Sequence, residues 1–170
     1  MKVVASAGQG NWARVPWISI LDSREIDSTQ KGIYVVILFQ QDGSGLYLTF
    51  NQGVTDPMKR LGNADGIVAI KSRAEELRGE AGCQSLGKAG FLRDSSIDLR
   101  ADPGLGKGYE GSTIAYKFYP KGGIPDDYQL VKDLQLLLEA YGSFLGGVES
   151  NMSTVHLLLK WSADPEPRTV

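Results

Sequence analysis

The chain has 170 residues, a formal net charge of −2, and 42% hydrophobic and 22% charged residues. These values indicate one globular domain, and the single cysteine and single histidine exclude an internal disulfide and a Cys/His zinc site. No apolar run of about 18 residues occurs, so a membrane-spanning helix is not expected. We therefore expect a cytoplasmic protein without a metal or cofactor, and the weak charge gives no sign of a strongly basic DNA-binding surface.

The first fifty residues predict a series of β-strands. Residues 3–6 form a short strand, and residues 16–21 and 32–40 form two longer ones, the second rich in β-branched and aromatic side chains. The turn sequence Asp42-Gly43-Ser44-Gly45 separates residues 32–40 from the apolar run 45–51. The strands on its two sides should therefore pair as a β-hairpin.

The middle of the chain mixes helices, a long loop and one more strand. Residues 65–80 have the apolar spacing of a helix. The glycine-rich residues 82–111 predict a long loop that holds a short strand near Phe91-Leu92. Alternating side chains predict a strand over 112–119, and a stripe of leucines predicts the longest helix over 125–145.

These elements do not alternate regularly as strand and helix. We therefore expect an α+β fold, with a largely antiparallel or mixed sheet flanked by helices in a single domain. Residues 1–147 are assigned to this domain, and residues 148–170 to a C-terminal extension and linker. Within the extension, residues 152–161 fit either a strand or a short helix. The proline-containing residues 163–168 are typical of a linker to a further domain.

Two aromatic side chains on the predicted strands suggest a binding slot. Alternation places Tyr34 and Leu38 on one face of strand 32–40. Because this strand is apolar on both faces, it could simply be central in the sheet. The alternative is that the Tyr34 face opens into a pocket, where Trp17 and Tyr34 form the walls of a slot for a flat ring.

The glycine loop Gly8-Gln9-Gly10 precedes these strands. Its backbone is unusually free, which suits an ordinary turn. It also suits a loop that approaches a duplex closely, with Gln9 filling the space left by an extruded base. Together with the aromatic slot, the loop indicates a protein that takes a base out of a duplex and reads it.

No motif in the chain supports catalysis. Residues 82–89 resemble a phosphate-binding loop, but Ala89 stands where a hydroxyl would bind magnesium, and no apolar strand precedes the segment. The second glycine stretch, residues 104–108, is expected to be a mobile loop or a backbone contact to phosphate helped by Lys107. His156 lies among apolar side chains and has no nucleophilic partner. We expect a binding domain, not an enzyme.

The segments Gly8–Trp17 and Gly32–Leu38 resemble the N-terminal DNA-binding domain of McrB-type modified-cytosine restriction proteins. The shared pattern is Gly-x-Gly-Asn-aromatic, then Val/Ile-Pro-Trp, then Gly-Ile-Tyr-x-Val-Ile-Leu. The segments 108–119 and 126–141 are similar to the later half of that family. The resemblance covers roughly residues 3–145 and is most specific in the first fifty.

The family's domain binds DNA around a methylated cytosine and flips that base into a pocket. The resemblance implies that Trp17 and Tyr34 sandwich the flipped base, that Leu38 lines the pocket near the modification, and that Gln9 fills the vacated space. The rest of the loop would lie near the DNA backbone, namely Gly8, Gly10, Asn11, Trp12 and Arg14. Phosphate contacts are expected from three lysines, Lys31, Lys107 and Lys117.

The resemblance implies a non-catalytic specificity module of a type IV, modification-dependent restriction system that acts in phage defence. Its partners would be double-stranded DNA with a modified base and a missing nuclease or NTPase domain or subunit. Burial of one methyl group contributes only about 0.8 kcal/mol. The residues therefore leave hydroxymethylcytosine and methyladenine open as ligands beside 5-methylcytosine. A protein-interaction module that uses the same aromatic face is a further alternative.

Overall fold

A five-stranded antiparallel sheet forms the centre of the structure. The computed structural model describes residues 1–7, 14–101 and 103–146, with the backbone alone for 103–107. The strands lie side by side in chain order: β1 (Lys2–Ser6), β2 (Trp17–Leu21), β3 (Ile33–Phe39), β4 (Gly45–Gln52) and β5 (Thr113–Pro120). The predicted hairpin is confirmed, because β3 and β4 pair from Ile33–Gln52 to Phe39–Leu46.

Helices flank the sheet and complete the predicted α+β domain. They are α1 (Thr55–Leu61), α2 (Asn63–Gly79), α3 (Ala81–Lys88), α4 (Pro103–Ser112) and α5 (Asp127–Phe144), with a 3-10 turn at Lys121–Gly123. Helices α2 and α5 confirm the two predicted helices, and α5 begins where the Asp126 carboxylate accepts the backbone N–H of Gln129 at 2.9 Å. None of the helices in the described residues is long and apolar enough to cross a membrane.

The prediction of a long loop over 82–111 was wrong, since this segment contains α3 and α4. The predicted strand near Phe91-Leu92 is only a single bridge from Leu92 to Tyr116. Glycine disfavours helices in isolation, but α3 gains stability by burying Cys83 and Leu86 against the rest of the core. Helix formation by residues 82–88 also removes the resemblance to a phosphate-binding loop, because their backbone groups are used within α3.

The two faces of the sheet are covered in different ways. One face packs against α2, α3 and α5 and forms the larger core, which includes Val35, Leu48 and Phe50. The other face carries Val36, Leu38 and Tyr47 and is covered mainly by the irregular segment 93–101 through Ile97 and Leu99. This second face is where the predicted slot would lie. Residues 148–170, including the segment 152–161 and His156, lie outside the described residues.

Candidate nucleic-acid interface

Trp17 and Tyr34 lie on the same face of the sheet and reach one cavity. Trp17 pairs with Leu38, so it shares a face with every second residue of β3, including Val36 and Tyr34. Tyr34 is four residues from Leu38, which separates the two aromatic backbones by about 13 Å along the sheet. Val36 lies between them on the same face, and all three side chains line one cavity.

The cavity has a volume of about 50 Å³ and is lined by aromatic rings, short apolar side chains and hydroxyl groups. Besides Trp17, Tyr34 and Val36, the lining comes from a loop, the start of α1 and helix α4, in the form of Thr29, Val54, Thr55 and Tyr109. No charged side chain is among these lining residues. The arrangement therefore suits a flat, neutral ring that carries hydrogen-bonding groups at its edge.

The tyrosines of the cavity remain neutral at physiological pH. Burial raises the pKa of Tyr34, and the nearby Tyr109 raises it further. Burial also raises the pKa of Tyr109. Both rings can thus stack on a base without introducing a charge.

Tyr109 is a cavity residue that the sequence analysis did not assign to the site. It lies in the last turn of α4, where the Thr113 hydroxyl donates to its backbone carbonyl at 2.9 Å and the Ser112 hydroxyl lies at the same distance. Because Thr113 begins β5, its bond fixes the end of the helix to the sheet. In the sequence, Tyr109 is a lone aromatic residue among glycines. Because that segment was predicted to be a loop, nothing placed Tyr109 beside Tyr34.

The cavity lies in a domain whose whole described part matches one protein family. A family model described as the MrcB-like N-terminal domain matches residues 1–146. The chain belongs to this family. The resemblance seen in the sequence is thereby confirmed, and the family fits a DNA-binding module of a restriction system. No curated protein matches the chain.

The other predicted site residues of this MrcB-like domain lie in several places. Leu38 is fully buried beside Trp17, its cross-strand partner, and it is not among the residues that line the cavity. Arg14 is exposed just before β2, and Lys31 is exposed on the loop that carries Thr29. The loop residues Gly8, Gln9, Gly10, Asn11 and Trp12 lie outside the described residues, as does the Lys107 side chain.

Lys117 lies on the opposite, helix-covered face of the sheet. Its ammonium group contacts Asp133 of α5 at 2.6 Å and lies 4.7 Å from the centre of the Phe91 ring. The side chain is only 19% exposed. Its position therefore does not support a phosphate contact beside the cavity. Lys31 is better placed for that role, because it is exposed on the loop at the cavity rim.

A close backbone contact at Gly53 holds the rim loop in place. A methyl group at this position would overlap the backbone N and Cα of Lys31 and the carbonyl carbon of Gln30. The loop is further tied to α1, because the Asp56 N–H donates to the Gln30 carbonyl at 3.0 Å. Glycine at position 53 thus allows the loop with Thr29 and Lys31 to reach the cavity formed by β2 and β3.

Gly53→Ala should therefore displace the rim loop. We expect it to reduce the free energy of unfolding by about 1–3 kcal/mol, because the loop backbone must shift to accept the methyl group. DNA affinity should fall with it, since Thr29 and Lys31 move. Thermal unfolding and DNA titration would measure both effects. Gly79→Ala is the matched control, because nothing lies within 4 Å of its added methyl group. Unchanged DNA binding by a destabilised Gly53→Ala variant would contradict a role of this loop.

A larger cavity of about 440 Å³ lies between α2 and α4, but its lining is different. It is formed by Ile67, Lys71, Ser95, Glu110 and Gly111, and it contains no aromatic ring. Size alone would favour it, whereas stacking on a base requires the smaller aromatic cavity. In the described part of the chain, no group of three or more His, Cys, Asp and Glu side chains could hold a metal ion.

Proposed function

We propose that this domain binds double-stranded DNA and holds a modified cytosine, flipped out of the duplex, in the cavity between Trp17, Tyr34 and Tyr109. The observation that carries the proposal is the uncharged aromatic cavity on the sheet face opposite the main helices. A duplex is not required to enter the protein, because only the extruded base needs to reach the cavity. The domain would supply DNA recognition to the nuclease or NTPase part of a restriction system.

The energetics favour an aromatic site. Extruding a base costs a few kcal/mol, and stacking on aromatic side chains recovers about 1–3 kcal/mol per base. Hydrogen bonds from the hydroxyls of Thr29, Thr55 and Tyr34 to the base edge would add to this. A methyl group on the base contributes only about 0.8 kcal/mol by burial, so discrimination depends largely on the shape of the cavity.

The cavity must widen to admit a base. Its volume of about 50 Å³ is small beside the roughly 300–1,000 Å³ of pockets that enclose small-molecule ligands. Among the aromatic members of the lining, Trp17 and Tyr109 are partly buried, whereas Tyr34 is buried. We propose that their rings move outward as the base enters and then close over it. Lys31, exposed at the rim, would contact a phosphate next to the extruded nucleotide.

Titration against matched duplexes tests this function. One duplex is unmodified, the second carries a single 5-methylcytosine and the third a single 5-hydroxymethylcytosine, each with 2-aminopurine beside the site. Tighter binding with a fluorescence increase only on a modified duplex is expected, because flipping unstacks the neighbouring 2-aminopurine. Equal, weak and salt-sensitive binding to all three would contradict recognition of modified cytosine, and a methyladenine duplex would then be tried. No DNA binding at all would favour a protein-interaction module.

A further inference from the structure

Asn51 holds a buried hydrogen-bond donor that the protein does not use. Its side chain is 0% exposed, and its Nδ2 atom has no hydrogen-bond partner in the described part of the chain. An unpaired donor in a protein interior costs free energy, and the great majority of buried polar atoms are paired. Such an atom needs an explanation, and a hydrogen bond to a ligand is one that can be tested.

Asn51 lies next to the aromatic cavity. It is the direct cross-strand partner of Tyr34, so the two side chains project from the same face of the sheet. A β-bulge between Phe50 and Asn51 interrupts the pairing of β4 with β5 at this point. Bulges redirect side chains and are frequent beside functional sites.

A hydrogen-bond network fixes the orientation of the Asn51 amide. Its Oδ1 atom accepts the Ser112 hydroxyl at 2.9 Å. The same hydroxyl also lies 2.9 Å from the Tyr109 carbonyl, but Thr113 donates to that carbonyl as well. The single proton of Ser112 is therefore available to Asn51, which leaves Nδ2 as the unpaired end of the amide. The network also connects Asn51 to Tyr109, the residue that must move when the cavity widens.

We propose that Asn51 is a specificity-determining residue, whose Nδ2–H group donates to an acceptor on the edge of the flipped base, such as ring N3 or O2 of a cytosine. The inference rests on the proposed function. Movement of Tyr109 would open the space between the base and Asn51. A thymine carries an N–H group at ring position 3, so the same donor would disfavour it there.

Asn51→Leu tests this role, because leucine has nearly the same shape and removes the amide. Nδ2 makes no bond in the free protein, and the Ser112 hydroxyl that Oδ1 accepts can turn to the Tyr109 carbonyl, so the midpoint of thermal unfolding should change little. Binding to the 5-methylcytosine duplex should weaken about tenfold, the usual effect of one lost hydrogen bond. Binding to a duplex with an abasic site at the same position should not change, because no base edge is present.

Thr49→Val is the matched control on the same face of β4. Thr49 is equally buried, but its hydroxyl already donates to the Val36 carbonyl at 2.9 Å. We therefore expect this variant to lose stability and to keep its DNA affinity, which is the opposite pattern to Asn51→Leu. Comparing the two variants distinguishes the loss of a donor that binds the ligand from the general effect of removing a buried polar group.

Three results would overturn the proposal. A loss of stability in Asn51→Leu as large as that in Thr49→Val would show that the Asn51 amide stabilises the free protein and is not left for a ligand. Equal weakening on methylcytosine and abasic duplexes would show that Asn51 acts on the fold and not on the base. Unchanged binding to methylcytosine by Asn51→Leu, while Trp17→Ala loses it, would remove Asn51 from the site and leave the proposed function intact. If neither variant affects binding, the proposed function itself fails.

Discussion

Trp17→Ala should abolish the preference of the domain for modified DNA. Stacking of a base on an aromatic ring is worth about 1–3 kcal/mol, so affinity for the 5-methylcytosine duplex should fall by about 10- to 100-fold. Binding to unmodified duplex, which depends mainly on phosphate contacts, should change little. The ratio of the affinities for the two duplexes tests the role of Trp17, and both affinities should be measured by titration at one fixed salt concentration.

The fold should survive this substitution, because Trp17 is only partly buried and lies near one side of the sheet. Tyr128→Ala is the matched control, since it also removes an aromatic ring but from the exposed surface of α5, where Tyr128 is 77% exposed. We expect Tyr128→Ala to bind both duplexes like the parent protein. A folded Trp17→Ala variant that still prefers the modified duplex would exclude stacking on this ring as the basis of recognition.

The strands and the two long helices could be predicted because their sequence patterns are local. Tyr34 and Trp17 were found for the same reason, since each lies on a strand with a clear apolar pattern. Helices α3 and α4 were missed because their glycines suggest a loop. Their stability comes from packing against distant elements, for example Cys83 and Leu86 within the main core, and local patterns do not contain that information.

The remaining cavity residues come together only through contacts between distant segments. Thr29 and Thr55 approach because Gly53 permits close contact with the Lys31 backbone. Tyr109 is held by the bond from the Thr113 hydroxyl to its carbonyl. Lys117 illustrates the opposite difficulty. Alternation along β5 separates its side chain from those of the neighbouring positions, but it does not reveal which face the helices cover. The position of Lys117 on the helix-covered face therefore needed the packed structure.

Lys117→Met should strongly destabilise the domain without changing how the folded protein binds DNA. The Asp133 carboxylate, whose side chain is 4% exposed, accepts hydrogen bonds from Lys117 at 2.6 Å and from Tyr119 at 2.5 Å. Removing one partner of a buried ion pair typically costs about 3–5 kcal/mol, because the other charge stays buried and uncompensated. Because Tyr119 still donates to Asp133, we expect the free energy of unfolding to fall by an amount near the lower end of this range. Urea unfolding at neutral pH would measure it.

The pH dependence of this loss provides a second, independent measurement. Burial opposes the ionisation of Asp133, but the hydrogen bonds from Lys117 and Tyr119 outweigh it and hold its pKa below the ordinary value. In the parent protein, this carboxylate therefore contributes stability above about pH 4 that is lost as the pH falls. In Lys117→Met, burial should instead raise the pKa of Asp133. Its protonation on acidification then removes the buried, uncompensated charge. The stability difference between the two proteins should therefore narrow between about pH 7 and pH 4.

The double variant Lys117→Met/Asp133→Leu distinguishes an ion-pair effect from a packing effect. Replacing both charges with apolar side chains leaves no buried charge, so most of the lost stability should return. Lys121→Met, at an exposed position just after β5, should be nearly neutral and controls for the loss of one positive charge. If Lys117→Met instead kept its stability and lost DNA affinity, Lys117 would be a phosphate contact after all. The helix-covered face of the sheet would then have to open to DNA, which is incompatible with the buried pair that Lys117 forms with Asp133.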